Sequence, residues 1–199
     1  MEKKLAQTVA RIESEHPSAS VQVWATDEHR LGLQPLNRII WVAKGEQPIA
    51  EVNWKYQWLW LVGFVHPRSG QTYWWLVPFL NTEVFSRLLA DFARHFQLCS
   101  QRRILLVLDR ATFHRSRSLR IPEGLDLCFL PAKSPELQPA ERLWPLTNEP
   151  LANRTFVNLD ELEEVTAHRC RQLLQQRQRI HRLTYYHWWP EDSPSIMGN

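Results

Sequence analysis

Leu130-Pro131-Ala132-Lys133-Ser134-Pro135-Glu136-Leu137-Gln138-Pro139-Ala140-Glu141-Arg142-Leu143-Trp144 is the stretch on which the fold turns. Pro131, Pro135 and Pro139 keep the chain extended and turning, because each fixes its own φ and pushes the residue before it out of the helical region. Pro139 suits the first position of a helix, where its missing N–H costs nothing, and this puts Glu141 at the third position. Pro145 is expected to kink or stop that helix just after Trp144. A glutamate at the third position has an ordinary use, the reaching-back half of a capping box, although Gln138 is a poor partner for one. Glu136 lies inside the proline-rich turn, so Glu141 is the better placed acid.

Working outward, residues 126–130 read as a short strand closed by Pro131. Residues 104–108 form a continuous apolar run that ends in Asp109, a pattern suited to a central parallel strand buried on both faces. Val84, Phe85, Leu88, Leu89, Phe92 and Phe96 recur on one face of a helix over 82–96, with Thr82 as its N-cap. Residues 58–65 and 72–77 read as strands joined by Pro67-Arg68-Ser69-Gly70, a hairpin. Arg38 to Ala43 predicts another short strand, closed by a turn at Lys44-Gly45. Val21, Val23 and Ala25 alternate with Gln22, Trp24 and Thr26 in a strand that runs into Asp27. Helices are expected over residues 3–15, through Leu5, Val9 and Ile12, and over 159–174. This order describes an α/β fold, a mixed sheet with antiparallel strands first and parallel strands later, flanked by helices.

Asp27 and Asp109 are thus each expected at the end of a strand. Ligand sites of open α/β sheets gather at such ends. Strand-terminal aspartate is also a common turn residue. Two carboxylates on adjacent strands suit divalent ions, and hard oxygen donors select Mg²⁺, whereas His or Cys would select softer metals. Two such ions about 4 Å apart can clamp the attacking and leaving oxygens of a phosphoryl displacement.

Composition is that of a globular chain: 199 residues, 44% hydrophobic, ten tryptophans. No apolar run is long enough to span a bilayer, and the charged start MEKKLAQTVARIESEH lacks the centre of a secretory signal, so a cytoplasmic location is expected. Cys99, Cys128 and Cys170 are widely spaced and read as reduced thiols. Formal net charge is only +3. Arginine is clustered, however, at Arg102, Arg103, Arg110, Arg115, Arg117 and Arg120, and again at Arg169, Arg171, Arg177, Arg179 and Arg182. Such clusters fit phosphate binding or a solvated helix face.

The motif LPxxSPELxPxExLW at 130–144 resembles the last acidic block of DDE-type transposases, in the bacterial insertion-sequence branch of the mariner superfamily. Asp27-Glu28 with Gly32, Arg38, Trp41 and Lys44-Gly45 is similar to the first block. Leu106-Val107-Leu108-Asp109 with His114 and Ser116 is similar to the second. Asn153-Arg154, the helix after them and residues 180–188 resemble the usual tail. The resemblance implies an RNase H-like catalytic domain over 19–175, a helix or linker remnant over 1–18, and a basic and aromatic tail over 176–199. It also implies that Asp27, Asp109 and Glu141 are catalytic residues and ligands of Mg²⁺, with Mn²⁺ able to substitute. The expected activity is DNA strand cleavage and strand transfer on element ends and target DNA, by a homodimer. Arg110 stands where many relatives have Asn, and Gln138-Pro139-Ala140-Glu141 departs from their Asn-Pro-Ile-Glu. Only about twenty residues precede the first strand, too few for the helix-turn-helix usual in relatives, which leads to the expectation of a separate DNA-binding subunit. The alternatives are a catalytically silent relic or accessory subunit, and an RNase H-like nuclease.

Arg38, Lys44, Arg110, Arg115 and His114 are candidate nucleic-acid contacts, with surface or structural roles as the plain alternatives. Glu28, next to Asp27, should face the other way and serve structure. Trp24, Trp41, Trp54, Trp58, Trp60, Trp74 and Trp75 are expected mostly in the core, with any exposed ones able to stack on unpaired bases.

Overall fold

The computed structural model describes residues 1–39, 41–45, 53 and 55–192. The elements run α1 (Glu2–Glu15), β1 (Ser20–Gly32), β2 (Trp58–His66), β3 (Gln71–Val77), α2 (Thr82–His95), β4 (Arg102–Leu108) and β5 (Leu125–Phe129). Two 3-10 turns follow, Pro135–Leu137 and Pro139–Leu143, then α3 (Trp144–Thr147), α4 (Leu159–Leu173) and α5 (Arg177–Thr184). The five strands form one sheet in the order β3-β2-β1-β4-β5. β1 pairs antiparallel with β2, and β2 with β3, while β4 lies parallel to β1 and β5 parallel to β4. This is the expected mixed sheet, antiparallel strands first.

Alternation along the strands makes two cores. Val21, Val23, Ala25, Leu61, Val65, Leu105 and Val107 point to one face, under α1, α4 and α5. Trp24, Val62, Phe64, Leu106 and Leu108 point to the other, under Phe85, Leu89 and Phe92 of α2. Side chains of this kind contribute roughly 1.5–3 kcal/mol each when fully buried. β4 is therefore apolar throughout because both of its faces are covered.

Three details differ from the sequence expectations, and a fourth adds how the segments pack together. β1 does not stop at Asp27; it continues to Gly32, because β2 pairs with it from Ala25 onward. Its parallel ladder with β4 does stop, at Ala25 opposite Val107. Asp27 thus lies just past the carboxyl end of the parallel ladder, inside a longer strand. The N-cap of α2 is Asn81, whose side chain accepts from the Val84 N–H at 2.9 Å, and not Thr82. Positions 38, 39 and 41–43 form no strand, and residue 40 lies outside the described residues. Ile39 and Trp41 are fully exposed, and the chain there is held instead by Asn153, whose side chain bonds both the N–H and the C=O of Arg38. Finally, packing runs straight across 18/19 and 175/176: Leu5, Ile12, Ile180 and Trp189 belong to the same core as β1.

Pro145 does not end the helical path. It sits in the first turn of α3, where a 3-10 turn hands over to an α turn. Trp24 is buried, Trp41 and Trp58 are exposed, and Trp54 lies outside the described residues.

Candidate active site

Asp27, Asp109 and Glu141 arrive from three elements and line one cavity of about 320 Å³, together with Arg110, Lys133 and Gln138. Each carboxylate is held by a different device.

Asp27 faces the same side of the sheet as its cross-strand partner Gly63 and, beyond that, Trp74. The indole N–H of Trp144 donates to Asp27 Oδ2 at 2.9 Å. Trp144 is stacked on His29 with ring centroids 5.1 Å apart. A side chain at position 63 would block this arrangement, since a Cβ there would lie 2.9 Å from the Trp74 ring and 3.1 Å from that of Trp144. Burial, then the charges of Glu28 and Glu141, push the Asp27 carboxyl up to about 8, against the opposing bond from Trp144.

Asp109 follows the last residue of β4. Its Oδ1 accepts from the Ala111 N–H and from His114 Nδ1, both at 2.8 Å. The other ring nitrogen of His114 lies 3.0 Å from Glu28 Oε1. Burial disfavours charge on His114, but the bonds to Asp109 and Glu28 outweigh it and raise the imidazolium to about 9. The His114 bond is also the main cause that holds Asp109 below the usual carboxylate range. Glu28 does face away from Asp27, as expected, and its partner is this histidine.

Glu141 is placed by Gln138. That side chain is almost fully buried; its amide donates to the Thr26 carbonyl at 2.8 Å and its oxygen accepts from the Ala140 N–H at 3.5 Å. The residue that looked like a poor cap is the cap, and it ties the 3-10 turn to β1 beside Asp27. Burial and the Asp109 charge raise the Glu141 carboxyl. Glu136 does not line the cavity.

Among the described residues, Glu28, Asp109 and His114 bring possible ligand atoms within 4.8 Å of one another. Both nitrogens of His114 are already hydrogen-bonded to carboxylates, and its charge is favoured, so this group is an ion triad and not a metal cage. The open cavity with three carboxylate donors fits a hydrated divalent ion better, since Mg²⁺ keeps several waters and takes few protein ligands.

The other expected contacts are dispersed. Arg110 lines the carboxylate cavity and bonds the Leu130 carbonyl, and with the exposed Arg115 it lines a neighbouring one. Arg38 and Lys44 are exposed on the segment between β1 and β2. His114 is buried beneath Asp109, which makes it a positioning residue and not a surface contact. The arginine clusters break up: Arg103 pairs with Asp126, while Arg169 and Arg179 share Glu149. Sequence reasoning missed Trp144, Gln138, Gly63 and Lys133 as site residues. Three of these lie in or beside the motif at 130–144, but nothing local shows what their side chains reach across the sheet.

The family described as DDE superfamily endonuclease matches residues 22–163, well over half of the chain. The chain therefore belongs to the DDE superfamily endonucleases, a family of nuclease- or transposase-type enzymes. The uncharacterized protein y4pE/y4sA of Sinorhizobium fredii is 33% identical over 106 residues, which is 53% of this chain and 77% of that protein. A Mos1 strand transfer complex matches in structure with a TM-score of 0.53 at 17% identity, over 94% of this chain and 61% of that one. A Mos1 mariner paired end complex with Mn gives 0.55 at 17% identity, over 94% and 62%, and one with Mg gives 0.52 at 18% identity, over 83% and 57%. The fold is accordingly RNase H-like, a mixed five-stranded sheet with flanking helices similar to that of the Mos1 transposase chains. The chain spans about three fifths of the length of those transposase chains. Among the described residues no helix is long and apolar enough to cross a membrane.

Proposed function

We propose that this chain is a metal-dependent DNA transposase catalytic domain, in which Asp27, Asp109 and Glu141 are the catalytic carboxylates and hold Mg²⁺, with Mn²⁺ able to replace it. The observation that carries this reading is the convergence of the three carboxylates on one cavity, where Glu141 raises the Asp27 carboxyl and Asp109 raises that of Glu141. Such mutual repulsion favours a divalent cation. The family match and the Mos1 complexes with Mn and Mg support the same reading.

The bound ions would supply activation of the nucleophile and stabilisation of charge on the phosphate. The chain's own residues prepare the site for them. His114 keeps Asp109 ionised and oriented. Trp144 fixes one oxygen of Asp27. Gln138 sets the position of Glu141 against β1. Arg110 and Lys133 add positive charge to the same cavity, where a phosphodiester would lie. Two in-line displacements are expected. Water first takes the place of the 3′ oxygen on phosphorus and frees a 3′ hydroxyl. That hydroxyl then attacks a phosphodiester of target DNA and expels another 3′ oxygen.

Nicking of supercoiled plasmid DNA in Mg²⁺ or Mn²⁺ tests the proposal. Asp27→Asn, Asp109→Asn and Glu141→Gln should each abolish nicking without loss of folded structure by circular dichroism. Undiminished nicking by Asp109→Asn would sink it. Preferential cleavage of RNA–DNA hybrids would move the chain to the nuclease reading instead.

A further inference from the structure

A second cavity, of about 680 Å³, lies along β3, the edge strand of the antiparallel half of the sheet among the described residues. Trp74 lines it from the sheet face under α4 and α5, Tyr73 and Trp75 line its edge from the opposite face, and Arg171 of α4, Arg177 of α5 and His95 of α2 stand around it. No aspartate or glutamate lines it among the described residues. Asp91, which holds the Tyr73 hydroxyl, is itself paired with Arg94. Arg169 and Arg179, on the same two helices, are paired with Glu149, whereas Arg171 and Arg177 form no ion pair among the described residues. Arg177 is also held in place. Gly70 has φ +66, and a Cβ there would lie 1.8 Å from the Arg177 carbonyl oxygen, so the β2–β3 turn is pressed against the start of α5.

This cavity adjoins the carboxylates. Trp74 is in register with Gly63 and Asp27, two strand spacings away, or roughly 10 Å. Its ring packs edge-on against Trp144, the donor to Asp27. The Trp74 ring offers a stacking face that an unpaired base can reach, and the unpaired cations on the same side suit a phosphate backbone. We infer that this cavity binds an unpaired DNA strand beside the reacting one, with a base against Trp74 and phosphates on Arg171 and Arg177. The inference rests on the carboxylate cavity being a DNA-processing site. The competing occupant is an acidic peptide added to the β3 edge, and the experiment decides between them.

Binding of a labelled oligothymidylate is measured by fluorescence anisotropy in EDTA, where no strand can be cut. Arg171→Ala and Arg177→Ala should each weaken binding several-fold and reduce the logarithmic salt dependence by about 0.7. Arg182→Ala, on the exposed face of α5, should change neither. An abasic strand of equal length should bind the unaltered protein more weakly than oligothymidylate. Equal binding of the abasic strand overturns stacking on Trp74. Equal losses on blunt duplex and on oligothymidylate overturn the preference for an unpaired strand. Competition by polyglutamate as effective as by the oligonucleotide overturns the DNA strand in favour of a peptide. Unchanged binding in both arginine variants, with nicking intact, removes this cavity and leaves the carboxylate site standing. Intact oligothymidylate binding with no carboxylate-dependent nicking does the reverse.

Discussion

Asp27 and Asp109 belong to neighbouring parallel strands and line the same cavity, yet the chain treats them oppositely. Asp27 sits within a strand that pairs beyond it, half-buried, with one neutral donor from Trp144 and two acidic neighbours. Asp109 lies past the end of its strand, half-exposed, with a charged histidine behind it. One carboxyl is pushed up to about 8 and the other is held down. The difference teaches that strand position alone does not make a carboxylate site. What stands on the two faces of the sheet decides the charge each acid carries: Trp144 covers the face of Asp27, and the His114–Glu28 pair on the other face braces Asp109.

The comparison can be broken most forcefully from the Asp109 side. His114→Ala leaves the Glu28 carboxylate, 6% exposed, without its partner. Removing one member of a buried pair costs roughly 3–5 kcal/mol. Urea denaturation should show that loss, and adding Glu28→Gln should recover much of it. A loss near zero would mean that water replaces the histidine freely.

From the Asp27 side, Gly63→Ala forces a methyl group against Trp74 and Trp144 and should cost about 1–3 kcal/mol by overpacking. Gly70→Ala should cost more than this, since its Cβ would lie 1.8 Å from the Arg177 carbonyl oxygen and φ is +66. Trp144→Phe keeps an aromatic ring but removes the donor to Asp27. Loss of a bond that orients a metal-binding group typically weakens metal affinity by about tenfold or more. Titration of the water-proton relaxation of Mn²⁺ measures this directly. Unchanged affinity would show that Trp144 serves packing alone.

A further contrast is in pH dependence. The folded chain keeps a proton on Asp27 that the unfolded chain loses above 3.8, so this group removes stability as pH rises from there to about 8. Asp109, held low, contributes stability that is lost in acid. Without metal, Asp27→Asn should therefore gain on the unaltered protein across that window. Asp109→Asn should lose most above pH 4 and least below it. Parallel stability curves for the two variants would erase the contrast.

Much of this site could be read from local pattern. The apolar run into Asp109 announced a covered central strand, and the prolines before Glu141 announced an extended approach to a short helical turn. The mixed order of strands followed from the hairpin and the later apolar runs. Other parts could not be read in this way. Residues 38–43 have strand-like composition, but a strand needs a partner, and none reaches the described positions. Asp27 looked terminal because the alternation breaks there; β2 nevertheless pairs on to Gly32, since backbone hydrogen bonds do not require apolar side chains. Gln138 looked like a weak cap because its second bond, to the Thr26 carbonyl, spans 112 positions of sequence.

By itself, then, the sequence determined which strands and helices form, because the period of apolar residues reports the face that each element buries. It also marked the three acids, through the turns and strand ends around them. Only the tertiary structure decided their charge and their supports. Those depend on side chains arriving from far along the chain, His114 to Glu28, Trp144 to Asp27 and Gln138 to Thr26, and on how much water each is left with.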